Sequence, residues 1–229
     1  MRRRIGTVLI VAGLLVLAYA AAVLFWRDPV TDLYNRYQQH RLSGELEHEF
    51  EAWRPIAEPG PSLAARKSAV AREAGRFARH ARAGQALGRI EIPRLGLKVV
   101  FVNGTSWSGD LSRGPGRYER TSFPGLGKTV GIAGHRTTFG APFRHIDRLD
   151  RGDGILLELP YGTFRYRVFA HEIVDSEDWS VVRNRGFDTV MLSACHPLYS
   201  ASHRWIVYGR LVEVKPRGGE AFVLAASSR

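Results

Sequence analysis

The sequence is poor in sulfur and in acid: one cysteine, Cys195, two methionines, and 22 Asp and Glu against 33 Lys and Arg in 229 residues. A single thiol excludes any intramolecular disulfide, so a packed core must hold the fold. It also excludes the paired cysteines of a structural zinc site. Cys195, His196 and His203 are metal-ligating types, but they show no familiar ligand spacing. Internal repeats are absent as well. What is present is globular: 45% hydrophobic and 24% charged residues place the chain among folded domains, with room for one domain and extensions.

One long apolar run stands out. After Arg2, Arg3 and Arg4 the chain is uncharged from Ile5 to Trp26, long enough for the ~20 apolar residues of a bilayer span and longer than the apolar core of a signal peptide. Ala18-Tyr19-Ala20 resembles a cleavage site, but the length favours an uncleaved signal anchor. The leading arginines place the N-terminus in the cytoplasm and the rest outside. Outside, a net charge of +11 meets anionic lipid and acidic wall polymers, so nucleic acid is not an expected partner.

From Asp28 to Ala86 the composition is charged, Ala-rich and poor in β-branched residues, which predicts helix broken around Pro55, Pro59, Gly60 and Pro61. The first half is acidic (Glu45, Glu47, Glu49, Glu51) and the second basic (Arg66, Lys67, Arg72, Arg76, Arg79, Arg82). This reads as a helical stalk, either a solvated spacer or a basic helix laid on anionic lipid. At Gly88 the texture changes to short β-branched and aromatic runs: 89–92, 97–102, 129–134, 155–159, 164–174, 189–193 and 205–214. Such strands with frequent turns predict a β-barrel or sandwich, with short helical turns near 107–111 and 142–149. The tail after Lys215 shows only a short apolar patch at 221–226.

A lone thiol becomes a useful nucleophile beside a group that takes its proton and later returns one. Histidine is the usual partner. Of eight histidines, His40, His48 and His80 lie in the predicted stalk, whereas His135 ends one apolar strand and Cys195 ends another. His196 follows Cys195 on an extended strand and therefore points to the other face. Arg204 opens the strand after the loop 196–203; if the flanking strands pair as a hairpin, its guanidinium returns to Cys195 and can steady an oxyanion. Taken singly, each of these residues also has a purely structural reading.

Together they resemble the sortases. GRIEIPRLGLKVVFVNGTS (88–106) is similar to the opening strands of that barrel, GPGRY (114–118) to the family's GPGHY, IAGHRTTFGAPF (132–143) to the segment with the family's histidine, MLSACHP (191–197) to its TLxTC, and SASHRWIV (200–207) to its arginine strand. Met191 and Ala194 depart from the threonines of TLxTC, and Arg117 stands where the family often has histidine. The GHRTTFGAPF and CHP segments and the N-terminal anchor look most like class E, with class D next.

The resemblance implies a closed sortase-type β-barrel with short helices, preceded by a transmembrane helix and a helical stalk. The expected division is cytoplasmic N-terminus and anchor 1–27, stalk 28–86, catalytic barrel 87–215 and tail 216–229. It implies transpeptidation at an LAxTG-like or LPxTG-like sorting signal of exported proteins. Cys195 would cleave between Thr and Gly through a thioacyl enzyme, His135 would serve as general acid/base, and Arg204 would stabilise the oxyanion or substrate. The acceptor would be the amine of a lipid-linked peptidoglycan precursor, or a pilin lysine in a polymerising sortase. No cofactor or metal is required; calcium stimulates some members, and such stimulation stays open here without an acidic cluster that points to it. The contrasting possibility is a non-catalytic, membrane-tethered wall-binding protein.

Overall fold

The structure, a computed structural model, describes residues 2–25, 28–55, 60–107 and 109–224. Three helices lead: α1 (Arg2–Phe25), α2 (Pro29–Ala52) and α3 (Leu63–His80). Nine strands follow: β1 (Ala86–Ile92), β2 (Leu97–Asn103), β3 (Gly116–Arg117), β4 (Thr129–Ala133), β5 (Gly154–Leu159), β6 (Gly162–Asp175), β7 (Thr189–His196), β8 (His203–Pro216) and β9 (Phe222–Val223). Their order is β6-β5-β1-β2-β3-β4-β7-β8-β9, and β6 also pairs with β8, closing a barrel onto which β9 is added at the edge of β8.

Sequence pattern and position agree along the barrel. β4 is buried over its whole length and β7 over its first six residues, because both lie inside the sheet with their second face also covered. β5 alternates buried and half-buried residues, as expected of a strand with one wet face. Leu87, Ile90, Phe101, Ile132, Phe164 and Leu192 belong to the main core. β4 and β7 run parallel from Thr129↔Thr189 to Ala133↔Ser193, and the Gly134 N–H continues the ladder to the Ser193 carbonyl at 3.0 Å. β7 and β8 run antiparallel from Thr189↔Arg210 to His196↔His203.

Several elements extend the expected ones. β1 begins at Ala86, β7 runs on to His196, and β8 starts at His203 and ends at Pro216, because pairing carries the strands beyond their apolar stretches. β3 and β9 are short pairings with no alternation of their own to announce them. Around 142–149 only Ile146–Arg148 forms a 3-10 turn. Ser108 of the turn expected at 107–111 and residues 225–226 of the tail's apolar patch lie outside the described residues.

The expectation of a solvated stalk over 28–86 needs correction. Helices do form there, capped by Asp28, which accepts from the Val30 and Thr31 amides, and by Ser62, which accepts from that of Ala65. Both lie on the barrel. Leu42, Leu46 and Phe50 of α2 pack with Ala86, Val100 and Val102, and Val70, Ala74 and Phe77 of α3 enter the main core. Each fully buried Leu, Val or Phe stabilises by about 1.5–3 kcal/mol, which favours the helices against the barrel. The charge runs mark only the outer faces. Helix α1 is long and apolar enough to cross a membrane over Arg4–Ala22, none of which is buried.

Candidate active site

The parallel β4–β7 pair brings two strand ends to one level. Beyond β4 the chain passes through Gly134, where a Cβ would stand 2.6 Å from the ring of Phe143, and delivers His135. On β7, Cys195 lies opposite Arg204 of β8, so paired side chains emerge on the same face. His135, Cys195 and Arg204 line one cavity of about 260 Å³, walled by Trp107, Tyr118 and Trp179.

The face is selected by strand parity. Leu192 and Ala194 point into the main core, while Met191 packs on the other side of β7 with Val181, Ile206 and Tyr208. Cys195 shares that second side and is half-buried. His196 has the opposite parity and rests against Trp205 at 5.4 Å between ring centroids. It therefore cannot serve Cys195 as a base. The zinc reading fails for the same reason: Cys195 and His196 diverge, and exposed His203 sits beside Asp175 at 3.4 Å. Among the described residues no group of three or more His, Cys, Asp or Glu is placed to hold a metal ion.

His135 is only 5% exposed. Trp107 meets its ring edge-on at 4.6 Å, Phe139 lies at 5.3 Å, and Nε2 is buried without a hydrogen-bond partner among the described residues. Burial disfavours the imidazolium and pushes its pKa down to about 4, so the ring is neutral at pH 7 with a proton-accepting nitrogen. Arg204 Nη1 donates to the Ala201 and His203 carbonyls at 2.8 and 3.1 Å, which fixes the guanidinium at the cavity wall. A thiol, a neutral imidazole and a fixed cation in one partly closed cavity can perform nucleophilic acyl transfer.

A sortase-domain family model matches residues 90–212, more than half of the chain. The chain belongs to the sortase family. It is 34% identical to Sortase D of Bacillus subtilis over 56% of this chain and 65% of that protein, and 28% identical to Sortase SrtE1 of Streptomyces coelicolor over 94% of this chain and 58% of that one. The chain thus spans less than two thirds of the length of these curated relatives. The solved structure of Sortase E1 from S. coelicolor, determined with a tripeptide in its active site, superposes with a TM-score of 0.56 at 30% identity, covering 60% of this chain and 95% of that one. The resemblance to classes E and D is thereby supported on both counts.

In this sortase the departures from the family pattern are absorbed by packing. Met191 and Ala194 are 0% and 3% exposed, the first in the side cluster and the second in the main core. Arg117 is buried: it donates to Asn103 Oδ1 from Nε and Nη2 at 3.0 and 2.8 Å, stacks 4.0 Å from Phe123, and through desolvation has its pKa lowered to about 10. It ties β2 and β3 together and remains a cation.

Sequence reasoning missed Arg136. This 4%-exposed residue pairs with Asp147 at 2.9 Å, donates to the Arg144 carbonyl at 3.1 and 3.2 Å, and reaches the Cys195 carbonyl at 3.3 Å. It ties the loop after β4 to the backbone of the thiol-bearing residue. The available signal was its place beside His135 in GHR. Trp107, the cover over His135, was read only as part of a turn, since nothing local announces a contact across the barrel rim.

Proposed function

We propose that this sortase is a membrane-anchored cysteine transpeptidase acting on an LAxTG-like or LPxTG-like signal of exported proteins. The observation that carries the reading is the register pair Cys195↔Arg204 with His135 delivered by β4 into the same cavity. Neutral His135 takes the Cys195 proton, and the thiolate attacks the threonine carbonyl while Arg204 steadies the oxyanion. The intermediate collapses to the thioester as imidazolium His135 protonates the departing glycine amine. An incoming amine then attacks the thioester. His135 removes its excess proton and restores it to the sulfur, so atoms and charges balance over the cycle.

The acceptor in this reading is a lipid-linked peptidoglycan precursor, which arrives at the membrane surface where α1 would hold the enzyme, with the arginines of its N-terminus cytoplasmic and the barrel outside. The tripeptide held in the active site of the S. coelicolor relative supports peptide recognition in the equivalent groove. A pilin lysine would use the same second half-reaction. No step calls on a cofactor or on calcium.

The test is the full chain in detergent with fluorogenic LAxTG and LPxTG peptides and an added amine. Cleavage after threonine, with amine-dependent product, should vanish in Cys195→Ala and persist in a chelator. Equal cleavage by Cys195→Ala would overturn the reading.

A further inference from the structure

The loop that carries His135 adopts an unusual backbone. Three successive residues have positive φ: Phe139 at 50°, Gly140 at 75° and Ala141 at 43°. Only glycine adopts this region without penalty, so two side-chain-bearing residues in it must be held by their surroundings. The loop supplies part of the hold itself, through Phe143 N–H to the His135 carbonyl at 3.0 Å and Ala141 N–H to Thr138 at 2.9 Å. The Phe139 N–H, at the start of the left-handed stretch, goes elsewhere.

It goes to α2. Phe139 N–H donates to Thr31 Oγ1 at 3.0 Å, and the Phe139 ring meets Tyr34 edge-on at 6.2 Å on one side and the His135 ring at 5.3 Å on the other. Asn35 covers Gly140 so closely that a Cβ there would stand 2.5 Å from its Oδ1. Asn35 is in turn fixed by donating from Nδ2 to the Arg113 carbonyl at 3.1 Å. Three side chains from the first two turns of α2 therefore converge on the one loop whose conformation places His135. These turns begin immediately after the segment that leaves the apolar helix α1.

We propose that the N-terminal turns of α2 are a positioning element for the reaction: Thr31 and Tyr34 hold Phe139, Phe139 holds the ring of His135, and the helix leaving the membrane span thereby sets how that ring faces Cys195. Thr31 and Tyr34 are positioning residues; neither lines the cavity. The inference rests on the role of His135 given above. It extends that role by making the membrane-proximal helix part of the working site.

The test uses the full chain in detergent, comparing Thr31→Val, which keeps shape and loses the acceptor, with Thr31→Ser, which restores it, and with Tyr34→Ala. Exposed Leu33→Ala serves as the control. Thr31→Val should lower kcat about five- to tenfold with KM within about twofold, and should move the limb of the pH profile that reports His135. Thr31→Ser should recover to within about twofold, and Tyr34→Ala should follow Thr31→Val. The groups that titrate or carry charge are Cys195, Arg204, Glu177, Asp178 and Tyr118 around the cavity, Arg136 beside His135 in the loop, and Asp28 at the start of α2, which accepts from the Thr31 amide; none of them is substituted, and Thr31→Ser keeps the hydroxyl that Asp28 also meets. Wild-type kcat and pH profile in both Thr31→Val and Tyr34→Ala, or equal loss in Thr31→Ser and Thr31→Val, would overturn the proposal.

A second readout separates this failure from failure of the transpeptidase reading. The His135 ring signal, assigned by its loss in His135→Gln, is titrated by NMR in the same proteins without substrate. A titration midpoint displaced in Thr31→Val and restored in Thr31→Ser supports the positioning role even if no peptide is turned over. Superimposable titrations, with or without turnover, sink it.

Discussion

Helix α3 gives the main core Val70, Ala74 and Phe77, whereas α2 sets Leu42, Leu46 and Phe50 on the outer side of β1 and β2 and adds polar side chains that reach backbone edges and a loop. Phe77 sits among Trp53, Phe123 and Tyr161, at 5.3 to 5.7 Å between centroids, and closes one end of the barrel. Gln39 of α2 instead behaves as an extra stretch of strand: it accepts from Val100 N–H at 2.8 Å and donates to the Val100 and Arg113 carbonyls at 3.0 and 2.8 Å. Apolar plugging fixes volume without direction, while hydrogen bonds fix direction. The helix with directional contacts is the one that reaches the loop of His135.

Breaking the plug should have the largest effect. Phe77→Ala is expected to cost about 3–5 kcal/mol, seen as a lower urea midpoint, with the specific activity of the folded fraction unchanged. Loss of activity at unchanged stability would place α3 in the working site instead.

The two ends also differ in the sign of their response to acid. On the groove side His135 titrates at about 4 folded against an ordinary 6.5, so its contribution is full above pH 6.5 and is lost as pH falls through 4, about 3 kcal/mol in all. Near α3, Asp188 is raised to about 6 by burial, with the amides of Gly125 and Gly127 and then Lys67 of α3 partly opposing, so its contribution is full below 3.8 and is lost as pH rises through 6, about 2–3 kcal/mol. The two offset in the native protein. Urea midpoints between pH 4 and 6.5 should therefore rise on acidification in His135→Gln and fall in Asp188→Asn. Parallel curves for the two variants would remove the distinction.

Gln39→Ala tests the directional contacts of α2 away from the loop. It leaves the Val100 N–H and carbonyl without their side-chain partner and should cost about 1–3 kcal/mol in denaturant midpoint. The smallest effect is expected on the outer surface. The Arg36–Asp32 pair, with Arg36 77% exposed, should contribute no more than about 0.5 kcal/mol, so Arg36→Ala should leave both stability and turnover unchanged.

Much of the site was legible because strands carry their own signals. Apolar runs end at His135 and Cys195, and strand parity alone separates Cys195 from His196. Arg204 was legible as the return of a hairpin, which the β7–β8 register bears out. Three features were hidden for a common reason, namely that contacts between residues far apart in sequence leave no local pattern. The packing of α2 and α3 was masked by charges on their outer faces. Arg136 looked like any cation beside a motif residue, and Trp107 like any turn residue.

By itself, then, the sequence determined the apolar helix, the β texture and the family motifs, because each is written in periodicity or in a contiguous run of residues. The tertiary structure alone decided that the supposed stalk is part of the domain, that Trp107 buries His135, and that α2 holds the loop behind it. Each of these depends on long-range packing, where burial and hydrogen-bond direction outweigh local composition.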